Sequence, residues 1–209
     1  MIVDPLTLAA FLPAALALNM TPGADMMFCL AQGLRGNRRA AVAASAGISA
    51  GSMVNVTLAG LGLGALVAAS PHLFSTIRWI GVAYLVWLAI RTLRSPHEVG
   101  ATGQTMKSPA RAFREGFLVN VSNPKVILFI LAFIPQFVDP TRGSVLGQFL
   151  IFGAVISLGG FFINAAVGWF AVGFGGVLAR SQRAERLLRY LSASVFGLLA
   201  LKLATERRA

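Results

Sequence analysis

Six mostly apolar runs divide this chain, at roughly 5–32, 41–69, 73–93, 116–138, 146–177 and 188–204. About 20 apolar residues in a helix cross the hydrocarbon core of a bilayer, so these runs read as spans. In lipid a backbone can satisfy its hydrogen bonds only as a helix or a closed barrel. A barrel needs short strands of alternating polarity, and nothing in this sequence alternates that way. Charged residues make up only 12% of the chain, against about 25% in a soluble domain. The sequence therefore predicts an all-α integral membrane protein with six transmembrane helices.

A net charge of +11 raises the possibility of nucleic-acid binding, but the charges are distributed as a membrane topology would place them. Arg35, Arg38 and Arg39 lie between the first two runs, and Arg91, Arg94, Lys107, Arg111 and Arg114 surround the third connection. Arg180, Arg183, Arg186 and Arg189 surround the fifth, while the alternate connections hold only Arg78 and Arg142 nearby. This is the positive-inside pattern. It predicts both termini outside the cytoplasm and a cytoplasmic loop over 95–115, although the basic tail Lys202, Arg207 and Arg208 pulls the other way. Residues 1–10 carry Asp4 and no Lys or Arg, so the first run is expected to be a retained helix and not a secretory signal.

Other chemistries find little material. Cys29 is the only cysteine, and His72 and His97 fall in loops on opposite sides, so neither a disulfide nor zinc-ligand spacing can be built. No GxSxG, HExxH or Ser-His-Asp arrangement is present. No enzyme activity, metal site, cofactor or nucleic-acid partner is expected.

Two of the apolar runs contain a proline beside a lone charge. The first reads Asn19-Met20-Thr21-Pro22-Gly23-Ala24-Asp25 and the second Asn120-Val121-Ser122-Asn123-Pro124-Lys125. Proline removes a backbone donor and clashes with the preceding turn, so helices 1 and 4 are expected to break at Pro22 and Pro124. Ionisable groups at membrane depth are costly and read as functional by default. Asp25 is the one acidic residue inside a run, which makes it the candidate for proton coupling. It follows Pro22-Gly23, at the start of a new half-helix whose unpaired amides suit an anion such as a substrate carboxylate. The competing reading is an ordinary helix cap. Lys125 lies at similar depth and could pair with Asp25 directly or through substrate, or snorkel to the interface. Asn19, Thr21, Gly23, Asn55, Asn120, Asn123 and Asn164 complete the candidate substrate-binding set, together with Asp25 and Lys125. Asn55 and Asn164 could equally be interhelical glue.

The six runs also pair as two halves. Pro22 and Pro124 match at an offset of 102, Gly51–Asn55 and Gly160–Asn164 at 109, and Arg78-Trp79-Ile80 and Arg189-Tyr190-Leu191 at 111. The offsets rise in order, as loop insertions require. Three spans per half make the second half inverted, with the site expected near the midplane between the broken helices. The expected organisation is one transporter domain over 1–209: a first repeat over 1–94, the 95–115 loop, and a second repeat over 116–209.

Several motifs are similar to those of a known family. Thr21–Asp25, Gly33–Ala41, Ser70-Pro71 ahead of Gly81-x-x-Tyr84-Leu85, and Asn123-Pro124-Lys125 followed by Phe133-Ile134-Pro135-Gln136-Phe137-Val138 resemble the LysE/RhtB-type amino-acid exporters. The resemblance covers nearly the whole chain in order. It implies efflux of amino acids or related small zwitterions across a bacterial inner membrane, driven by proton antiport. Two departures stand out. Ala24 replaces the second proline of a usual Pro-Gly-Pro, and Asn55 stands where many members carry His. The partners expected are a small amino-acid substrate, protons and membrane lipid, and glycine-rich faces leave room for a homodimer. Export of inorganic or metal cations on a related scaffold is the alternative.

Overall fold

The structure, a computed structural model, describes residues 2–69 and 108–178, with isolated helical positions between 79 and 94 and between 190 and 201. The third and sixth expected spans, most of the 95–115 loop, both histidines and the basic tail thus lie largely or wholly outside the described residues. The described residues are helical and contain no strand. The helices are α1 (Pro5–Met20), α2 (Ala24–Leu34), α3 (Arg38–Ala69), α4 (Pro109–Val121), α5 (Pro124–Phe133) and α6 (Val145–Leu178). Short 3-10 turns at Ile134–Phe137 and Pro140–Arg142 join α5 to α6.

Both breaks fall at the prolines the sequence singles out. α1 and α2 meet at 51° across Thr21–Gly23, and α4 meets the arm formed by α5 and its 3-10 extension at 52°. Each bent pair is long and apolar enough to count as one span, while α3 and α6 contain straight spans of their own, Arg38–Gly62 and Val145–Gly173. Pro13 is a contrast, because it sits inside α1 without interrupting it. A proline deletes one backbone bond, and it ends a helix here only where neighbouring groups can satisfy the freed backbone.

The fourth span begins earlier than its apolar run suggests, at Pro109 instead of 116. Ser108 caps it by accepting from the Arg111 amide, and Arg111 pairs with Glu115 one turn on at 2.8 Å. Caps and i,i+4 pairs stabilise a helical turn that hydropathy does not reveal.

Small residues set the packing. An added Cβ on Gly47 would strike the Phe113 carbonyl, and one on Gly116 the Ala44 carbonyl, so α3 and α4 lie backbone to backbone. Gly33 and Gly168 do the same for α2 and α6. Close approach at glycine is how membrane helices gain van der Waals contact without a hydrophobic driving force. The hydroxyls of Ser45 and Ser49 donate to the carbonyls of Phe161 and Ser157 at 2.7 and 2.8 Å, tying α3 to α6.

Phe11, Phe133, Phe137 and Phe152 form an aromatic cluster between α1, α5 and α6, with ring centroids 4.7–5.9 Å apart. Beyond it, at one end of the molecule, Arg142 lies 3.5 Å from Asp4 and 3.4 Å from Asp139. The side-chain amide of Gln148 clasps the Asp139 backbone, accepting from its N–H and donating to its carbonyl, both at 2.8 Å. The Thr141 hydroxyl and amide, with Arg142 alongside, hold the Asp139 carboxyl below the usual carboxylate range. At the opposite end the arginines gather, and Arg38 stacks 5.2 Å over the Trp169 ring.

Candidate functional site

The two breaks face each other across one small polar pocket. The first contributes Leu18, Asn19, Thr21, Gly23, Asp25 and Met26, and the second Asn120, Asn123, Lys125 and Val126. α3 supplies Ile48, Ser49 and Ser52 as one wall, and α6 supplies Ile156, Ser157, Gly160 and Asn164 as the other. The cavity is about 30 Å³, room for two or three waters at about 10–15 Å³ each.

The first break is held by Lys125. In a continuous helix the amide at 22 would donate to the Leu18 carbonyl, and proline has none to give. The Lys125 ammonium supplies the missing donor, reaching the Leu18 and Thr21 carbonyls at 2.8 Å each. Thr21 closes the turn behind it, donating from both its amide and its hydroxyl to the Ala17 carbonyl. Gly23 lies beside the lysine, and a Cβ there would stand in ordinary contact with Nζ at 3.4 Å.

The second break repeats the device with different groups. Pro124 deprives the Asn120 carbonyl, and that oxygen receives the Asn123 amide at 2.9 Å and the Asn55 side chain at 3.3 Å. The Asn123 side chain caps α5 by accepting from the Lys125 amide at 3.1 Å. Leu18 and Asn120 are separated by the same offset of 102 as the two prolines. At both breaks, the carbonyl orphaned by the proline is therefore met by a side chain from another helix.

Asp25 links the two breaks. It lies in the first turn of α2, whose cap residue is Gly23, and its side chain does not cap that helix. Its Oδ2 accepts from the Asn120 side chain at 2.9 Å, and Lys125 and Asn123 also face the carboxylate. Asn19 reaches across to α6 and donates to the Ile156 carbonyl at 3.0 Å, over a shelf made by Gly159 and Gly160.

Eight of the nine residues singled out in the sequence thus line one pocket. Asn55 does not line it and serves the second break from outside. Thr57, another polar residue of the same span, back-bonds to its own helix at Met53. Ser49, Ser52 and Ser157 are pocket residues that the sequence reading missed. Serine in a membrane helix commonly bonds its own backbone, so only their helical phase relative to Asn55 and Asn164 could have marked them.

The lining also carries unmatched hydrogen-bonding capacity. Asp25 Oδ1, Asn120 Oδ1, Asn164 Oδ1 and the hydroxyls of Ser52 and Ser157 are buried without a hydrogen-bond partner among the described residues. Native proteins rarely leave buried polar atoms unpaired, and a cluster of them calls for an explanation. No group of three or more His, Cys, Asp or Glu able to hold a metal occurs among the described residues.

Comparison with known proteins adds an independent line. A model of the LysE type translocator family matches residues 16–207. An uncharacterized membrane protein of Vibrio cholerae is 39% identical over 145 residues, covering 69% of this chain and 70% of that protein. A homoserine/homoserine lactone efflux protein of Salmonella typhimurium is 34% identical over the same coverage of each chain, 69% and 70%. A leucine efflux protein of Enterobacter sp. is 26% identical over 90% of this chain and 89% of its own length. No solved structure matches the chain.

Proposed function

The chain belongs to the LysE type translocator family, and from that premise we propose that it is a secondary active exporter of amino acids or related small zwitterions. Relatives named for homoserine/homoserine lactone efflux and for leucine efflux support the substrate class. The observation that carries the reading is that Asp25 and Lys125 come from two facing helix breaks into one polar pocket. Transporters with inverted repeats bind substrate in this way, between discontinuous helices near the midplane. The proposed architecture is six spans in two inverted repeats, 1–94 and 116–209, in a bacterial inner membrane with lipid around it and room for a homodimer.

In this reading Asn19, Thr21, Gly23, Asp25, Asn120, Asn123, Lys125 and Asn164 surround the substrate, and Asn55 supports them from behind. Asp25 carries the proton that couples export to the gradient. The cavity is too small for an amino acid as it stands, so the halves must part to admit one and rock to release it on the other side. Export of inorganic cations is the rival reading. Hard cations want six or more oxygen ligands, commonly several carboxylates, and no observation favours it.

Counterflow of labelled L-leucine and L-homoserine in proteoliposomes tests the proposal. Wild type should exchange at least one of them. Asp25→Asn and Lys125→Met should each lower the initial rate about tenfold or more, the loss of one charged contact. Asp25→Asn should in addition abolish accumulation driven by an imposed pH gradient. Unimpaired transport by both variants would remove these residues from the mechanism.

A further inference from the structure

We infer that the pocket opens toward the arginine end of the molecule along the face of α2 that carries Asp25, and that Gln32 is the polar contact its substrate makes on that route. The inference rests on the transport reading above. It adds a positioning residue that does not line the pocket.

Placement is the first ground. Asp25 lies in the first turn of α2 and Gln32 in the last, just ahead of the Arg35 cap. Seven residues are close to two turns, so the two side chains share one face, about 10 Å apart along the axis. Arg38 and Arg39 begin α3 immediately beyond. Gln32 thus stands between the pocket and the arginines. That way is shut in this structure, where Gln32 is 1% exposed. A Cβ added to the neighbouring Gly33 would strike the Gly168 carbonyl and the Ala171 side chain, so α2 and α6 touch backbone to backbone there. An alternating-access cycle must part such a contact at one end of the molecule while the other end stays closed.

Chemistry is the second. Neither Oε1 nor Nε2 of Gln32 has a hydrogen-bond partner among the described residues. Gln148 is equally buried, at 1% exposure, and spends both atoms of its amide on the Asp139 backbone. A buried amide with nothing to bond is costly, and an apolar side chain of similar length would fill the space without that cost. The unpaired amide of Gln32 is accounted for if another stage of the cycle uncovers and uses it. Its oxygen can accept from an ammonium and its nitrogen can donate to a carboxylate, so one neutral side chain serves both ends of a zwitterion. Without a charge of its own it binds either end less firmly than an ion pair would, which suits a point of passage more than a final site.

The test takes three measurements on the full-length protein. Gln32→Met in proteoliposomes should lower the initial rate of labelled L-leucine or L-homoserine counterflow about tenfold, the loss of a hydrogen bond to a charged group. Its Tm in detergent should equal that of wild type or exceed it, because two unmatched groups leave the interior. The third measurement uses single cysteines in a Cys29→Ala background, in cells treated with a membrane-impermeant methanethiosulfonate. Gln32→Cys should react at least about fivefold faster than Ala14→Cys, which is 0% exposed in the core around α1, a margin that separates an opened route from general breathing. It should be reached from the side that labels Ala110→Cys and not from the side that labels Thr141→Cys, two positions exposed at opposite ends. Counterflow by Gln32→Met within about twofold of wild type, less than the loss of even a weak hydrogen bond, overturns the substrate contact by assigning the amide to water. Lost transport with a lowered Tm marks a structural amide and overturns it as well. Gln32→Cys that reacts no faster than Ala14→Cys, or from the Thr141 side, overturns the route. If wild type moves neither amino acid, the transport reading fails, and the cysteine measurement still decides whether the molecule opens along this face.

Discussion

At the scale of single residues, Lys125 joins the two breaks. Its ammonium replaces the backbone donor that Pro22 lacks, so a charge on the second broken helix fixes the geometry of the first. Removing it as Lys125→Met leaves two carbonyls without that donor, at about 1–3 kcal/mol each. Pro22→Ala returns an amide at position 22 that can reach Leu18. The two changes should therefore be strongly non-additive, as substitutions sharing a partner are. Thermal unfolding in detergent should show Lys125→Met lowering Tm by several degrees and Pro22→Ala in that background recovering at least half of the loss. Additive effects would mean that Lys125 does not stand in for the missing amide. The sequence made Pro22, Asp25, Pro124 and Lys125 conspicuous because charge and proline are rare in apolar runs. It could not say which acceptors the lysine takes, because those are backbone carbonyls that every residue carries. The hydroxyls of Ser52 and Ser157 stayed hidden for the related reason that serine is common in membrane helices and cheap to satisfy locally.

At the scale of elements, glycine decides which helices can touch. Gly47 and Gly116 face carbonyls of the opposing helix at the α3–α4 contact, whereas Gly62, on the same long α3, has nothing among the described residues within 4 Å of an added Cβ. The same substitution should then have opposite signs at two positions of one helix. Gly62→Ala gains helix propensity, up to about 1 kcal/mol, and should raise Tm slightly. Gly47→Ala gains the same propensity but forces α3 away from the Phe113 backbone, and should lower Tm by several degrees or cost the folded species altogether. Equal effects at both positions would show that the α3–α4 approach does not depend on glycine. The breaks at Pro22 and Pro124 were legible as kinks. Pro13 shows why proline alone is an incomplete signal. α1 passes through it unbroken, since what ends a helix is proline with partners able to cap the exposed groups, as Lys125 and Asn123 do. The start of α4 at Pro109 was missed because its first two turns are stabilised by a cap and an ion pair, neither of which hydropathy registers.

At the scale of the whole molecule, the two ends differ in charge, and that difference bears on how the molecule sits in a membrane. The end built from the α1 N-terminus and the α5–α6 connection holds Asp4, Asp139 and Arg142, drawn together by ion pairs at 3.4–3.5 Å. The end built from the α2–α3 turn and the α4 N-terminus holds Arg35, Arg38, Arg39, Arg111 and Arg114, with Glu115. Five arginines against one, in short connections, favour placing the arginine end in the cytoplasm. The Phe11–Phe133–Phe137–Phe152 cluster packs α1, α5 and α6 together toward the Asp139 end. Charge asymmetry was readable from sequence; the gathering of four phenylalanines into one cluster was not, because phenylalanine is as suited to lipid as to a core. Orientation can be measured with single cysteines, since Cys29 is fully buried and should be silent. Thr141 and Ala110 are both exposed, at opposite ends. In intact cells a membrane-impermeant maleimide should label Thr141→Cys at once and Ala110→Cys only after the membrane is permeabilised. The reverse pattern would turn the molecule over and place the arginine end outside.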